Sequence, residues 1–192
     1  DVNAKLQNVL TGEEDLEKSE LTCKLEDKTK CEGQNSDLLA EIKKLKAQYC
    51  QYADSGEHAD EFAELFLSDA VLDEGDDGVF QGREEIREMY KKTWPYFSLN
   101  QHLVFNPIID IEGQAATGDW RLMQLCSTKH ADGDKAFWAV GYYREKYTKI
   151  ADRWFFAHVM ARVHFCCPYE DGWAKTPFGE LLSPQAMQEL GL

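Results

Sequence analysis

The chain has 192 residues, 43% apolar and 12% aromatic, with 35 acidic against 21 basic side chains and a net charge of −14. This composition excludes a mainly disordered chain, and the length suits one domain able to bury roughly 70% of its unfolded surface. No apolar run reaches bilayer length and no basic stripe exists beyond the short Lys43, Lys44, Lys46 group, so neither a membrane nor a nucleic acid is expected as partner.

No aromatic residue precedes Tyr49, although the chain holds 10 Phe, 8 Tyr and 5 Trp. Residues 1–36 mix charges with scattered Leu and Val and read as an N-terminal arm, helical or partly ordered. From Ser36 and Asp37, which offer N-cap chemistry, Leu38, Ile42, Leu45, Tyr49 and Tyr52 recur at steps of four and three, predicting a helix that ends near Asp54-Ser55-Gly56. A second helix is expected over about 58–67, with Phe62, Leu65 and Phe66 on one face, followed by a short strand at Ala70-Val71-Leu72. The acidic stretch Asp73 to Asp77, with Gly75 and Gly78, reads as a solvated loop without calcium-loop spacing. A third helix runs from Gly82 to Trp94 and stops at Pro95.

Beyond Pro95 the period becomes extended. Strands are expected over 101–111, 114–127, 136–147 and 153–166, joined by turns at Glu112-Gly113, Asp132-Gly133-Asp134 and Lys149 to Asp152. Three helices followed by a four-strand meander give an α+β protein, with a loop-rich C-terminal tail over 171–192 that ends in a short helix at 184–190. Six cysteines at 23, 31, 50, 126, 166 and 167 contain no C-x2-C pair, and they read as reduced thiols of a cytoplasmic protein.

The sequence carries no Gly-rich phosphate loop, G-x-S-x-G elbow, H-E-x-x-H helix or EF-hand loop. No metal and no cofactor is therefore expected. Of the five histidines, His58 and His130 fall at exposed helix-start or loop sites, and His158 and His164 share a strand without an acidic ligand beside them. His102 opens the apolar run Leu103-Val104-Phe105, where an imidazole needs a partner. Asp54, at the end of the first long helix, is a candidate. Residue type alone favours a satisfied structural histidine at 102 and ordinary turn chemistry at 54, and nothing in the periodicity brings the two positions together.

The stretch Tyr49-Cys50-Gln51-Tyr52-Ala53-Asp54-Ser55-Gly56, followed by Phe62-Ala63-Glu64-Leu65-Phe66 and Asp69-Ala70-Val71, resembles the opening of SnoaL-like domains in the nuclear transport factor 2-like superfamily. Gly82-Arg83-Glu84-Glu85-Ile86, Gln101-His102, Ala116-Thr117-Gly118-Asp119-Trp120 and Gly141-Tyr142-Tyr143-Arg144-Glu145-Lys146-Tyr147 extend the likeness over about residues 37–170. Within the superfamily the sequence looks most like the bile acid 7α-dehydratase and hexachlorocyclohexane dehydrochlorinase group. That resemblance implies a SnoaL-like catalytic domain over 37–170: a cone-shaped, curved antiparallel sheet wrapped around three N-terminal helices, of nuclear transport factor 2-like or cystatin-like form. It implies an Asp54–His102 dyad assisted by Tyr49, with Arg162 matching an arginine of the last strand.

Chemistry follows from those residues. Asp54 would orient the His102 ring, whose free nitrogen becomes a base, while Tyr49 donates to a departing oxygen or a developing oxyanion. The expected activity is that of a cofactor-free lyase, a dehydratase acting on a lipophilic, ring-containing substrate such as a steroid. Trp94, Phe105, Trp120 and Tyr142, with Arg162, are candidate substrate contacts. An isomerase or cyclase on the same scaffold, or a non-catalytic ligand-binding or subunit-association module, remains open. The resemblance further implies a homo-oligomer, a trimer or alternatively a dimer.

Overall fold

The computed structural model describes residue 33 and residues 35–191, so the arm expected over residues 1–36 lies, but for Gly33, Asn35 and Ser36, outside the described residues. The chain divides between Ala40 and Glu41 into two units, and the second, residues 41–192, carries the sheet and the candidate site. Helix α1 occupies residues 35–53. Ser36 and Asp37, expected as its N-cap, are exposed residues within the helix. Ile42, Leu45, Tyr49 and Cys50 form its buried stripe, as the period predicts.

Helix α2 is short, Ala59–Ala63, and strand β1 already begins at Phe66 (Phe66–Asp73). The second helix expected to run to 67 thus ends early. The Leu65 carbonyl accepts a hydrogen bond from the Phe156 amide at 2.9 Å, which draws the chain into the sheet. Phe62, Leu65 and Phe66 are buried either way, so their spacing cannot discriminate between helix and strand. A 3-10 turn (Gly75–Asp77) stands where a loop was expected, followed by β2 (Val79–Gln81), α3 (Arg83–Thr93) and a second 3-10 turn (Trp94–Tyr96). The meander is formed by β3 (Phe97–Glu112), β4 (Ala115–Thr128), β5 (Lys135–Ile150) and β6 (Arg153–Pro168). Helix α4 (Pro184–Leu190) closes the tail, with the Ser183 hydroxyl accepting from the Ala186 amide at 3.2 Å and Gly191 in the left-handed conformation.

The six strands form one sheet in the order β2-β1-β6-β5-β4-β3. All neighbours are antiparallel except β1 and β6, so the sheet is mixed rather than wholly antiparallel; the first strand closes beside the last. Bulges bend it. In β3 the register slips between Phe105 and Ile108, where Asn106 takes φ 50°. Against β6 it slips at Gly141, where a Cβ would lie 2.1 Å from the Arg162 carbonyl oxygen. The face toward the helices carries Tyr143, Glu145 and Tyr147 of β5 and Trp120 and Leu122 of β4, all buried. No helix among the described residues is long and apolar enough to cross a membrane. Cys50, Cys126, Cys166 and Cys167 are free, and burial pushes the Cys126 thiol up to about 12.

A charged pair lies inside this core. Lys46 on α1 donates to Glu145 on β5 at 2.6 Å, with neither side chain exposed at all. The ammonium sits 3.4 Å from the ring centre of Tyr143 and 4.0 Å from that of Tyr49. Tyr147 donates to Glu145 and accepts from the Trp120 indole at 2.9 Å, which completes the carboxylate's bonds. Two such ions tolerate burial only together. Lys46→Met is therefore expected to destabilise the fold by about 3–5 kcal/mol in denaturant unfolding, and adding Glu145→Met to recover most of that loss.

Candidate active site

The site is assembled where α1 ends against β3. The α1 helix stops with the Asp54 amide bonded to the Cys50 carbonyl at 3.0 Å and the Ser55 amide to that of Tyr52 at 3.1 Å. Several side chains fix this turn. The Tyr90 hydroxyl on α3 meets the carbonyl oxygens of Tyr52 and Ser55. Buried Asn100 on β3 donates to the Ala53 carbonyl at 3.3 Å and accepts from Gln124 at 2.6 Å. Trp94 lies so close to Gly56 that a Cβ there would be 1.5 Å from the indole nitrogen. Gly56 is thus demanded by contact rather than by dihedral angle.

Asp54 and His102, 48 positions apart, meet. His102 Nδ1–H donates to Asp54 Oδ1 at 2.7 Å, and the His102 backbone N–H donates to both carboxylate oxygens at 2.9 and 3.1 Å. The two side chains are 10% and 16% exposed, dry enough to strengthen the bond yet reachable. The carboxylate fixes the tautomer and leaves Nε2 with no partner among the described residues, its lone pair available as a base. Tyr49 stands edge-on to this imidazole, ring centres 6.5 Å apart, within a cluster of Phe62, Tyr143 and Phe156. Burial, then the nearby Tyr143 and acidic groups, pushes its hydroxyl well above the ordinary value, so it remains a hydrogen-bond donor.

The other expected residues fall elsewhere. Trp120 is on the helix-facing side but directs its indole to Tyr147. Trp94 stacks between Tyr90 and Phe97 and buttresses the Asp54 turn. Phe105 and Tyr142 lie on the opposite sheet face from His102 and Tyr143. Phe105 is three residues from His102 along β3, and Tyr142 is next to Tyr143 along β5. That outer face holds a cavity of about 260 Å³ lined by Ile108, Asp119, Arg121, Tyr142, Arg144 and His164, with the Tyr142 and His164 rings 5.5 Å apart. Arg162, in register with Tyr142, bonds Asp73 Oδ2 at 2.8 Å and the Asp73 carbonyl at 3.1 Å. The dyad and Tyr49 are brought together; these five are not brought to them. The residue that sequence reasoning missed beside Tyr49 is Lys46. It precedes Tyr49 by three and follows Ile42 by four, which puts all three on one helix face.

The SnoaL-like domain family matches residues 34–160 of this chain. The probable cyclase FGR4 of Gibberella zeae is 30% identical over 126 residues, 59% of this chain and 83% of that protein. The bovine tRNA endonuclease ANKZF1 is 36% identical over 73 residues, 36% of this chain, and the chain spans only 10% of its length. Among solved structures, a protein provisionally named a scytalone dehydratase, from Novosphingobium aromaticivorans, superposes with a TM-score of 0.64 at 19% identity, covering 70% of this chain and 89% of that one. Hexachlorocyclohexane dehydrochlorinase LinA-type3 from Novosphingobium barchaimii does so with a TM-score of 0.62 at 17% identity, covering 70% and 91%. These structural likenesses establish the shared fold.

The Tyr90 hydroxyl positions Asp54 without reaching the dyad. Tyr90→Phe is expected to cost about 1–2 kcal/mol of stability in denaturant unfolding and to broaden the His102 imidazole signals in NMR, the protein staying folded.

Proposed function

The chain belongs to the SnoaL-like domain family, and on that footing we propose that it is a cofactor-independent lyase, a dehydratase that removes water from a lipophilic, ring-containing substrate such as a steroid. The observation that carries the reading is the 2.7 Å bond from His102 Nδ1 to Asp54, with Nε2 left unpartnered among the described residues. In this reading Nε2 takes a proton from carbon next to a carbonyl, and Asp54 stabilises the imidazolium so formed. Tyr49 donates to the oxygen on which negative charge develops. The C–H electron pair forms the new double bond as the C–O bond breaks with its pair on oxygen, and the proton held by the imidazolium passes to that oxygen, so that water leaves and the neutral imidazole is restored. Proton transfer of this kind contributes about 10² to 10⁴ in rate.

The names of the dehydratase and dehydrochlorinase neighbours support an elimination. The aromatic surroundings of Tyr49 favour an apolar ring over a sugar. Ring closure or a double-bond shift with the same dyad is the second reading, favoured by the identity shared with FGR4. Self-association as a trimer or dimer belongs to the same proposal. Leu99, Leu103, Phe105 and Ile108 of β3 form an exposed apolar row suited to it, and sedimentation counts the copies.

The test uses a panel of hydroxylated steroidal ketones, followed by mass spectrometry. Loss of water is expected, and His102→Ala and Asp54→Asn are each expected to reduce it at least about 100-fold without loss of fold. A product of unchanged mass would favour the second reading, and turnover surviving in His102→Ala would refute both.

A further inference from the structure

Residues 53 and 54 orient two different side chains of the sheet. Asp54 fixes the His102 ring, and the Ala53 carbonyl beside it fixes a pair of amides. That carbonyl can only accept, so Asn100 turns Nδ2 toward it, at 3.3 Å, and Oδ1 away from it. Oδ1 can in turn only accept, and Gln124 meets it with Nε2, at 2.6 Å. The amide of Gln124 therefore has its orientation set from the end of α1, and its oxygen, Oε1, has no hydrogen-bond partner among the described residues.

Gln124 stands next to the base. In the β3–β4 register it is the residue directly opposite His102. The His102 amide points away from β4, to Asp54, so the two form a cross-strand pair without ladder bonds between them. Pairs of this kind are the closer ones, with Cα atoms about 4.5 Å apart and side chains side by side. Alternation along β4 puts Gln124 with buried Leu122 and Cys126, on the face that carries His102 and Tyr143. Gln124 is half-buried, and neither its Oε1 nor His102 Nε2 is sealed from solvent. The dyad chemistry leaves this oxygen without a task.

We propose that Gln124 determines specificity, its Oε1 accepting a hydrogen bond from the hydroxyl that leaves, so that the site selects a β-hydroxy ketone. This rests on the elimination reading above and deepens it. The polar groups at the site are then a donor, the Tyr49 hydroxyl; a base, His102 Nε2; and an acceptor, Gln124 Oε1. A β-hydroxy ketone carries the complement of each: a carbonyl oxygen, an acidic C–H and an O–H. Reversing it would set its carbonyl against Oε1, acceptor against acceptor, so one orientation satisfies all three. Held there, the hydroxyl is beside the imidazolium that hands it a proton. Gln124 transfers no proton itself. A substrate with an ether in place of the hydroxyl leaves Oε1 unpaired, which is how a site built for a hydroxyl rejects its analogue.

The experiment compares wild type, Gln124→Met and His102→Ala on two probes: a β-hydroxy ketone on a decalin ring, and the same ketone with methoxyl in place of the hydroxyl. Methoxyl, like hydroxyl, needs a proton to leave, but it has none to donate to Oε1. In wild type kcat/KM is expected to favour the hydroxyl probe, and in Gln124→Met that preference is expected to fall about tenfold. The loss should appear in KM for the hydroxyl probe, with kcat and the methoxyl probe little changed, as when a contact shared by ground and transition states is removed. Retained turnover of the methoxyl probe also shows that the variant is folded. Should His102→Ala abolish both eliminations while Gln124→Met leaves the preference within about twofold, or lowers both probes equally, the assignment of Gln124 falls and the dyad stands. Should the wild type eliminate neither group, the parent reading falls and takes this one with it.

Discussion

Burial of one ion pair governs how this molecule is put together. Lys46 and Glu145 are wholly removed from water, and each is tolerable there only because the other is 2.6 Å away. The pair joins α1 to the middle of the sheet, so the helix can neither roll nor slide without stranding a charge. Tyr49 is one turn further along, and its ring rests against the same ammonium. Eight residues after Lys46, about 12 Å of helix rise, the chain reaches Asp54. The direction in which Asp54 leaves α1 is therefore set from inside the core, by a contact that has no part in the chemistry.

At that end a second set of bonds takes over. Tyr90, Asn100 and Trp94, from α3, β3 and the turn between them, hold the carbonyls and the glycine around Asp54. Asp54 in turn accepts from both the backbone and the ring of His102. A carboxylate so anchored needs no reorganisation when the imidazole gains its proton, which is where preorganised sites draw their advantage. The site is thus a junction of four elements, none of which holds it alone.

Much of this was legible in the sequence, and the limits are physical. The period of three and four located α1, and the change to alternation located the meander, because burial acts on single elements. The same signal misplaced the end of α2, since Phe62, Leu65 and Phe66 satisfy burial in either conformation. Composition groups Lys46 with Lys43 and Lys44, although its helix face is that of Ile42 and Tyr49. Neither Glu145 nor Tyr143 is near Lys46 in the chain, and local composition carries no record of a neighbour 99 positions away. Resemblance, not spacing, pairs Asp54 with His102. Strand parity, by contrast, was available to separate Phe105 from His102, and it needed no structure.

The placement of His102 on β3 has one more consequence. β3 is one of the two edge strands, paired only with β4, and its far edge is the kind of open ladder onto which another extended chain can add. At His102 the amide is already taken by the Asp54 carboxylate, which occupies the place a seventh strand would claim. A polypeptide zipping onto that edge would have to evict the carboxylate, so protecting the border and keeping the base aligned are the work of the same two oxygens.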